Sequence, residues 1–226
     1  MLIVPQDMNR NAKSVQDMGD PADTGAMLIS YMCERIGIDD LDGLDILDLG
    51  CGTRFSEAIL NRDLPVGSYT GIEVKQNIVD FLHDNVDDSR FAYFQFDIKN
   101  LCYNPKGIAL SEGLGDEISA ALDHKRFDIA CMFSVITHQQ PDEAHAIFRL
   151  LARHIRPGGH LFFSAFIHEG EPDHKELKPQ RPGMQSSFSA VHMAQMLADT
   201  GWSVVSRADP APEGLPIMWS YLCAPV

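Results

Sequence analysis

The sequence predicts an α/β fold: one doubly wound domain with a mostly parallel seven-stranded sheet, helices on both faces and an antiparallel C-terminal edge strand. Strand and helix signals alternate along most of the chain, which is typical of a parallel sheet with helical crossovers. Several strand segments are apolar on both faces, as buried parallel strands are. Two strand segments follow each other closely at the C-terminal end, which indicates an antiparallel edge.

The composition indicates a globular protein, with one domain over residues 1–226. Apolar residues make up 45% of the chain and charged residues 22%, which are ordinary values for a protein with a single buried core. The 32 acidic side chains outnumber the 18 basic ones, so the formal net charge is −14. Such a charge repels phosphate backbones and anionic membranes, and we therefore expect neither nucleic acid nor a membrane as a partner.

The cysteines indicate a reducing compartment. The five cysteines are scattered and form no Cys-x-x-Cys pair, and Cys51, Cys131 and Cys223 lie in or beside apolar runs, as small buried hydrophobes do. The apolar start of the chain is too short for the hydrophobic region of a signal peptide, and no run has the length of a membrane span. We therefore expect a cytoplasmic protein.

Residues 1–40 predict an arm followed by one helix. The first 19 residues are mostly polar and show no clear period. Asp20 can cap a helix whose first position is Pro21, and apolar residues at helical spacing continue as far as Gly37, which can end it.

The core of the domain is predicted at residues 44–167, with five strands: LDILDLG, SYTGIEV, FAYFQFDI, FDIACMFSV and HLFFSAFI. A helix follows each of the first two strands, and a short helix is expected around DEISAALDH in the polar stretch 104–126. Apolar residues keep helical spacing for three turns over residues 144–155. RPGG predicts a turn before the fifth strand.

Residues 168–187 predict a lid, because they are charged, rich in proline and without a core pattern. Six of their side chains could supply metal ligands: His168, Glu169, Glu171, Asp173, His174 and Glu176. The spacing of these residues fits no metal site, so we expect a solvated loop with no metal. Residues 188–226 predict one helix, ended by Gly201, and the two closing strands WSVVSRA and IMWSYLCAPV.

The loop after the first strand is the leading candidate for a binding site. Ligands of doubly wound sheets lie beyond the carboxyl ends of the strands. Gly50 and Gly52 allow a sharp turn and the close approach of a ligand, and Glu73 closes the second strand, where a carboxylate can accept from both hydroxyls of a ribose. The pattern predicts an adenosine site, although two glycines alone are also compatible with a tight turn beside a solvated glutamate.

Two further residues argue against a diphosphate ligand. Asp48, two residues before Gly50, would repel a pyrophosphate and attract an ammonium or sulfonium group. Arg54 stands where many dinucleotide-binding loops keep a third glycine for tight helix–strand packing. The sequence therefore predicts an adenosyl ligand that is cationic and free of phosphate.

Four segments follow one another in a recognisable order: ILDLGCGTRF, GIEV, FQFDIKNL and the run from FDIACMFSV to HLFFSAF. Together they resemble the motifs of the class I S-adenosylmethionine-dependent methyltransferases. The likeness covers roughly residues 44–167, with the polar insert at 104–126 as a departure, and MLADTGW and WSYLCAP extend it towards the C-terminus.

The resemblance implies that S-adenosyl-L-methionine is the cofactor and that the first two motifs bind it. Asp48 would orient the loop and bind the methionine ammonium. The loop Gly50, Cys51 and Gly52 would approach the methionine and the ribose. Glu73 would hold the ribose hydroxyls, and Val74 would pack on the adenine.

The later motifs would complete the cofactor site. Asp97 would accept a hydrogen bond from the adenine amino group, and Ile98 would pack on the ring or offer its amide. Ser134, which ends the fourth strand, would line the methionine side. Arg54 departs from the commonest family pattern, which leaves the detail of the loop open.

The implied reaction is an in-line displacement that moves a methyl group from sulfur to the oxygen or nitrogen of a small molecule. The main task of such an enzyme is to align the two reactants. A general base is needed only if the acceptor carries a proton of high pKa. His138, four residues beyond Ser134, is the candidate catalytic base, although it could also simply pack against the next helix.

Two other functions stay open. The chain could bind the cofactor without turnover, because the acceptor site has no signature in the sequence. A dinucleotide-dependent oxidoreductase is disfavoured by Asp48, Arg54 and Asp97. Choice of the acceptor would rest with the N-terminal arm, the insert at 104–126 and the lid at 168–187.

Overall fold

The computed structural model describes residues 1–9, 17–210 and 218–226. Its α-helices are α1 (Pro21–Ile36), α2 (Arg54–Asn61), α3 (Gln76–Asn85), α4 (Leu114–Ala121), α5 (Pro141–Arg153) and α6 (Ala190–Asp199). Its strands are β1 (Leu41–Leu49), β2 (Val66–Glu73), β3 (Phe91–Gln95), β4 (Phe127–Met132), β5 (Ile155–His168), β6 (His174–Glu176), β7 (Ser186–Ser189), β8 (Trp202–Ala208) and β9 (Trp219–Pro225).

The sheet confirms the predicted fold class. Strands β1 to β5 pair in parallel in the order β3-β2-β1-β4-β5. Strand β9 is antiparallel to β5, and β8 is antiparallel to β9, so the C-terminal strands form the expected antiparallel edge. The carboxyl ends of β1, β2 and β4 consequently meet at one edge, where a ligand of such a sheet lies.

Two strands occur that the sequence did not predict, both at the segment interpreted as a lid. Strand β7 pairs in parallel with the last residues of β5, and β6 pairs antiparallel with β7. Strand β6 has three residues and β7 has four, mostly polar, too few for an alternating pattern to emerge. The segment is therefore not simply a solvated loop, since β6 and β7 attach it to the sheet.

The long strand β5 also differs from expectation. It begins at Ile155 and includes the segment RPGG, which was predicted to be a turn before the strand. Gly158 has a φ of 82°, and the pairing register with β4 shifts here. The glycine thus forms an irregularity within the strand. Farther on, residues 161–165 pair with β9 and residues 166–168 pair with β7.

Helix α1 has the predicted ends. The side chain of Asp20 accepts a hydrogen bond from the amide of Ala22 at 2.8 Å, and Gly37 ends the helix with a φ of 86°. These are the usual caps of a helix, a short carboxylate at the start and a left-handed glycine at the end.

Two apolar clusters cover the two faces of the sheet. One contains Phe148, Phe163 and Trp202, and the other contains Met32, Tyr69 and Phe162. The three cysteines expected to be buried are at most 6% exposed, and they are Cys51, Cys131 and Cys223. Among the described residues, no helix combines the length and apolarity that crossing a membrane would require.

Candidate active site

A cavity of about 870 Å³ opens at the carboxyl ends of β1, β2 and β4. Cavities that bind small molecules typically measure about 300–1,000 Å³, so this one lies in the upper part of that range. Most of the predicted site residues line it: Asp48, Gly50, Cys51, Gly52, Glu73, Val74, Ile98, Ser134 and His138.

The glycine loop turns sharply beneath the cavity. The amide of Gly50 donates to the carbonyl of Ile72 at 2.7 Å. Gly50 has a φ of 75°, and a β-carbon there would lie 2.5 Å from Cγ2 of Val135. Any side chain at this position would therefore be both strained and in collision, which explains the first glycine of the motif.

Glu73 is held firmly at the end of β2. Its carboxylate is 7% exposed and accepts hydrogen bonds from three backbone amides: Gly52 at 3.1 Å, Val74 at 2.8 Å and Lys75 at 3.0 Å. The contact with Gly52 joins the glycine loop to β2. A carboxylate has about four lone-pair sites, so Oε2, which accepts only from Gly52 among the residues that the structure describes, keeps one site for a ligand hydroxyl in the cavity.

Asp48 lies at the floor of the cavity and is 4% exposed. The hydroxyl of Tyr69 donates to its Oδ2 at 2.6 Å, and the thiol of Cys131 donates to it as well. Burial nevertheless raises the pKa of Asp48 to about 7, because desolvation disfavours the charged carboxylate. A cationic group at this end of the cavity would ionise Asp48 and be bound by it.

Ser134 follows β4 in a left-handed conformation, with a φ of 60°. Its amide donates to Oγ of Ser164 at 2.9 Å, and its carbonyl accepts from the hydroxyl of Thr137 at 2.9 Å. Non-glycine residues in this region of φ are uncommon and concentrate at functional sites. These two contacts hold the turn that carries the chain from β4 to His138.

His138 ends the short 3₁₀ helix Ile136–His138. Its Nδ1 lies 3.2 Å from the carbonyl oxygen of Gly183. Because a carbonyl only accepts, Nδ1 carries the proton, and a neutral ring then keeps the lone pair of Nε2. Burial lowers the pKa of His138, so the ring is neutral near pH 7 and is able to take up a proton.

Asp97 is not among the residues that line the cavity, and its predicted contact with the adenine stays a prediction. Its side chain is exposed and accepts a hydrogen bond from Nδ2 of Asn104 at 2.7 Å. Strand β3 ends at Gln95, two residues before Asp97, so the aspartate lies in the loop beyond it. The neighbouring Ile98 is buried and does line the cavity.

Asn100 is a lining residue that the sequence analysis missed. It is 7% exposed, and its Oδ1 accepts from the amides of Cys102 and Tyr103 at 3.0 and 2.9 Å. Its Nδ2 donates to the carbonyl of His138 at 3.4 Å. Asn100 belongs to the quoted segment FQFDIKNL, and no pattern of residues there distinguished it from its neighbours.

The N-terminal arm and the segment 168–187 both contribute lining residues. The backbone of Leu2 in the arm makes two hydrogen bonds with the side chain of Asn61. The Leu2 amide donates to Oδ1 at 2.6 Å, and Nδ2 donates to the Leu2 carbonyl at 2.8 Å. Lys178, Met184 and Gln185 line the cavity from the other segment. Leu2 is 3% exposed, and the apolar start of the chain was the sequence signal for this contact.

A family model described as a methyltransferase domain matches residues 9–207. The match covers most of the chain. The chain belongs to the class I S-adenosylmethionine-dependent methyltransferase family. The cofactor of this family is S-adenosyl-L-methionine.

Curated relatives of this family member include O-methyltransferases. Malonyl-[acyl-carrier protein] O-methyltransferase of Acetivibrio thermocellus is 23% identical over 176 residues, which cover 72% of this chain and 61% of that protein. Ubiquinone biosynthesis O-methyltransferase of Alkalilimnicola ehrlichii is 28% identical over 145 residues, or 63% of this chain and 49% of that protein. The chain thus spans about half to three fifths of the length of these two relatives.

Solved structures share the fold. The glycopeptide N-methyltransferase MtfA complexed with sinefungin has a TM-score of 0.58 at 15% identity, covering 92% of this chain and 95% of that one. The [4+2]-cyclase SpnF has a TM-score of 0.54 at 19% identity, covering 81% of this chain and 58% of that one.

Proposed function

We propose that the chain is an enzyme that transfers a methyl group from S-adenosyl-L-methionine to an oxygen or nitrogen of a small-molecule acceptor. The observation that carries the proposal is the continuous cavity, which runs from the buried carboxylates Asp48 and Glu73 to the neutral ring of His138. Its volume of about 870 Å³ lies in the upper part of the range for small-molecule sites.

The residues at the β1 end fit the cofactor. Asp48 would bind the methionine ammonium and ionise in doing so, and Glu73 would accept from the ribose hydroxyls. Gly50 and Gly52 would let the ligand come close to the backbone of the loop. Val74 and Ile98 would offer apolar contact to the adenine. When bound, the cofactor supplies an electrophilic methyl group on a positively charged sulfur.

The chemistry left to the protein is alignment and removal of one proton. Holding two reactants in reacting geometry supplies a large share of the rate increase in such displacements. His138 is the candidate to take the acceptor proton at Nε2, with Nδ1 fixed by the carbonyl of Gly183. The O-methyltransferases among the relatives favour a hydroxyl or carboxyl oxygen as the methyl acceptor.

The first experiment is calorimetric titration with S-adenosylmethionine, S-adenosylhomocysteine and NAD. We expect both adenosyl ligands to bind and NAD not to bind, because an ammonium group can ionise Asp48 and bind it, whereas a pyrophosphate brings no cation for it. Binding of NAD alone would instead favour a dinucleotide-dependent oxidoreductase and overturn the proposal.

Glu73→Gln tests the cofactor end of the cavity, with Asp84→Asn as its matched control. We expect Glu73→Gln to weaken S-adenosylhomocysteine binding by about tenfold to a hundredfold, because charged hydrogen bonds contribute about 1.5–3 kcal/mol. Asp84 is exposed on α3 and outside the cavity lining, so Asp84→Asn should leave the affinity unchanged. Equal affinities for Glu73→Gln and the wild type would remove Glu73 from the site.

The second candidate is a protein that binds the cofactor but transfers no methyl group. This candidate is retained because SpnF, a cyclase, has a similar structure, and one fold supports different reactions. A methyl-release assay over a panel of hydroxylated, carboxylated and amino metabolites separates the two. Methyl transfer to any of them above the rate without acceptor supports an enzyme, whereas tight cofactor binding without transfer across the panel supports the alternative.

A further inference from the structure

The hairpin of β6 and β7 reaches His138 through its connecting loop. Residues 177–185 join the two strands, and the amide of Leu177 donates to the carbonyl of Gln185 at 2.8 Å, which closes the connection at its base. We call residues 177–185 the hairpin loop. The carbonyl of Gly183 in this loop is the group that lies 3.2 Å from Nδ1 of His138.

Gly183 is packed closely against the loop that follows β3. It has a φ of 74°, and a β-carbon on it would lie 2.5 Å from Cβ of Leu101 and 3.2 Å from the amide nitrogen of Cys102. A residue with a side chain would therefore push the backbone away from this contact. The carbonyl that faces His138 thus belongs to a tightly packed part of the hairpin loop.

Glu176, the last residue of β6, binds the amide of Gly183. Its Oε1 and Oε2 each lie 3.2 Å from that amide nitrogen. Nε2 of Gln140 also donates to Oε1, at 2.5 Å, and Gln140 lies two residues after His138, just before α5. Because hydrogen bonds to an ionised carboxylate are stronger than neutral ones, Glu176 links the hairpin loop firmly to the segment that carries His138.

Glu176 acts from outside the cavity. It is half-buried, and neither Glu176 nor its partners Gln140 and Gly183 belong to the cavity lining, whereas His138 does. A carboxylate in this place reaches the reacting groups only through the residues that it holds.

The carbonyl of Gly183 decides which nitrogen of His138 is available. A neutral imidazole carries one proton, and the hydrogen bond made by one nitrogen sets the tautomer. If this carbonyl moved away, the ring would exchange between its two tautomers, and Nε2 would hold the proton in part of the molecules. A protonated Nε2 has no lone pair with which to accept a proton from a substrate.

We propose that Glu176 is a positioning residue for methyl transfer: it holds Gly183 so that the proton of His138 stays on Nδ1 and Nε2 can take the proton of the acceptor. The inference rests on the proposed function, in which His138 is the base. The proton comes from an O–H or N–H bond whose electron pair stays on the acceptor, and it binds the lone pair of Nε2. The carbonyl of Gly183 accepts from Nδ1 before and after this transfer.

The test follows the ring of His138 in the full chain, labelled with nitrogen-15 in its nine histidines. Long-range proton–nitrogen correlation spectra at pH 8 show which ring nitrogen carries the proton, and burial, which lowers the pKa of His138, keeps the ring neutral there. The signals of His138 are those missing from His138→Gln. The variants are Glu176→Ala, Glu176→Gln and the control Glu169→Ala, whose side chain is 77% exposed in the same segment and outside the cavity lining.

We expect the wild type and Glu169→Ala to carry the His138 proton on Nδ1. Glu176→Ala should show exchange between both tautomers. Glu176→Gln should resemble the wild type, because an amide oxygen in the place of Oε1 can accept from both Gln140 and Gly183. Gly183→Ala, whose β-carbon displaces the backbone directly, should reproduce the change seen in Glu176→Ala and replaces that variant if it does not fold.

The kinetic counterpart uses an acceptor found with the metabolite panel. Glu176→Ala should lower kcat by about tenfold to a hundredfold, because the base is misplaced and partly in the wrong tautomer. The affinity for S-adenosylhomocysteine should stay unchanged in calorimetry, and Glu176→Gln should restore most of kcat.

Four results would overturn the proposal. One is a wild type with the His138 proton on Nε2, and another is an unchanged His138 tautomer in Glu176→Ala or Gly183→Ala. Equal spectra of Glu176→Gln and Glu176→Ala would assign the effect to charge alone, and a changed tautomer with unchanged kcat would leave Glu176 a structural role. If the panel yields no acceptor, the proposed function fails, while the spectra still report on the link between Glu176 and His138.

Discussion

Replacing Asp48 by asparagine should stabilise the unliganded protein at alkaline pH. Burial raises the pKa of Asp48 from 3.8 to about 7, a difference of about three pH units, which corresponds to about 4 kcal/mol. Between these two values the folded protein keeps a proton that the unfolded chain has lost. Stability therefore falls as the pH rises from about 4 to about 7, and the whole cost is present above pH 7.

Asp48→Asn removes this ionisation while its amide oxygen can still accept from the hydroxyl of Tyr69. At pH 8 we expect the variant to be more stable than the wild type by up to about 4 kcal/mol, or about 10 °C in melting temperature for a domain of this size. At pH 4 the two proteins should have nearly equal stability. Urea denaturation at both pH values measures the difference.

Asp45, on the same strand, provides a control of opposite sign. Burial raises its pKa, but hydrogen bonds from Ser68 and Arg156 outweigh that effect and lower it overall. Asp45→Asn should therefore lose stability relative to the wild type at pH 8 and little at low pH. The reasoning about Asp48 would be refuted if Asp48→Asn were no more stable at pH 8, or if its advantage were the same at both pH values.

Three further predictions concern the loop, the base and the core. Gly50→Ala should lower the free energy of unfolding by about 1–3 kcal/mol, because the residue has a φ of 75° and its β-carbon would lie 2.5 Å from Val135. Adding Val135→Ala should restore part of that stability in urea denaturation. His138→Gln should lower kcat by about 10²–10⁴-fold at unchanged S-adenosylhomocysteine affinity by calorimetry, and full activity would leave the histidine a scaffold role. Trp202→Phe should cost about 1–3 kcal/mol, because Phe148 loses the indole hydrogen bond of 2.9 Å; an unchanged urea midpoint would contradict this.

The elements that the sequence predicted well are those with a strong local signal. Helix α1 has a capping aspartate and a terminal glycine, and the runs of β1, β2 and β4 are apolar enough to be recognised alone. Their order also brings Asp48 and Glu73 to one edge of a parallel sheet, as the structure has them. Local propensity and overall topology agree in these segments.

The misses arise where tertiary contacts outweigh composition. Strands β6 and β7 are short and mostly polar, and they form because the end of β5 pairs with β7, which in turn pairs with β6. The burial of Nε and Nη2 of Arg54 could not be found from sequence either, since the sequence shows an unusual residue but not its surroundings.

Strand β5 pairs with β9 along one part and with β7 along another, and this affects where the fold can accept insertions. Residues 161–165 of the strand are fixed against β9, and its last three residues carry the hairpin of β6 and β7. Lengthening a surface connection costs little free energy, because closure entropy grows only slowly with loop length. Insertions between β5 and β7 could therefore remodel one wall of the cavity over evolutionary time while the cradle under the adenosyl group stayed as it is.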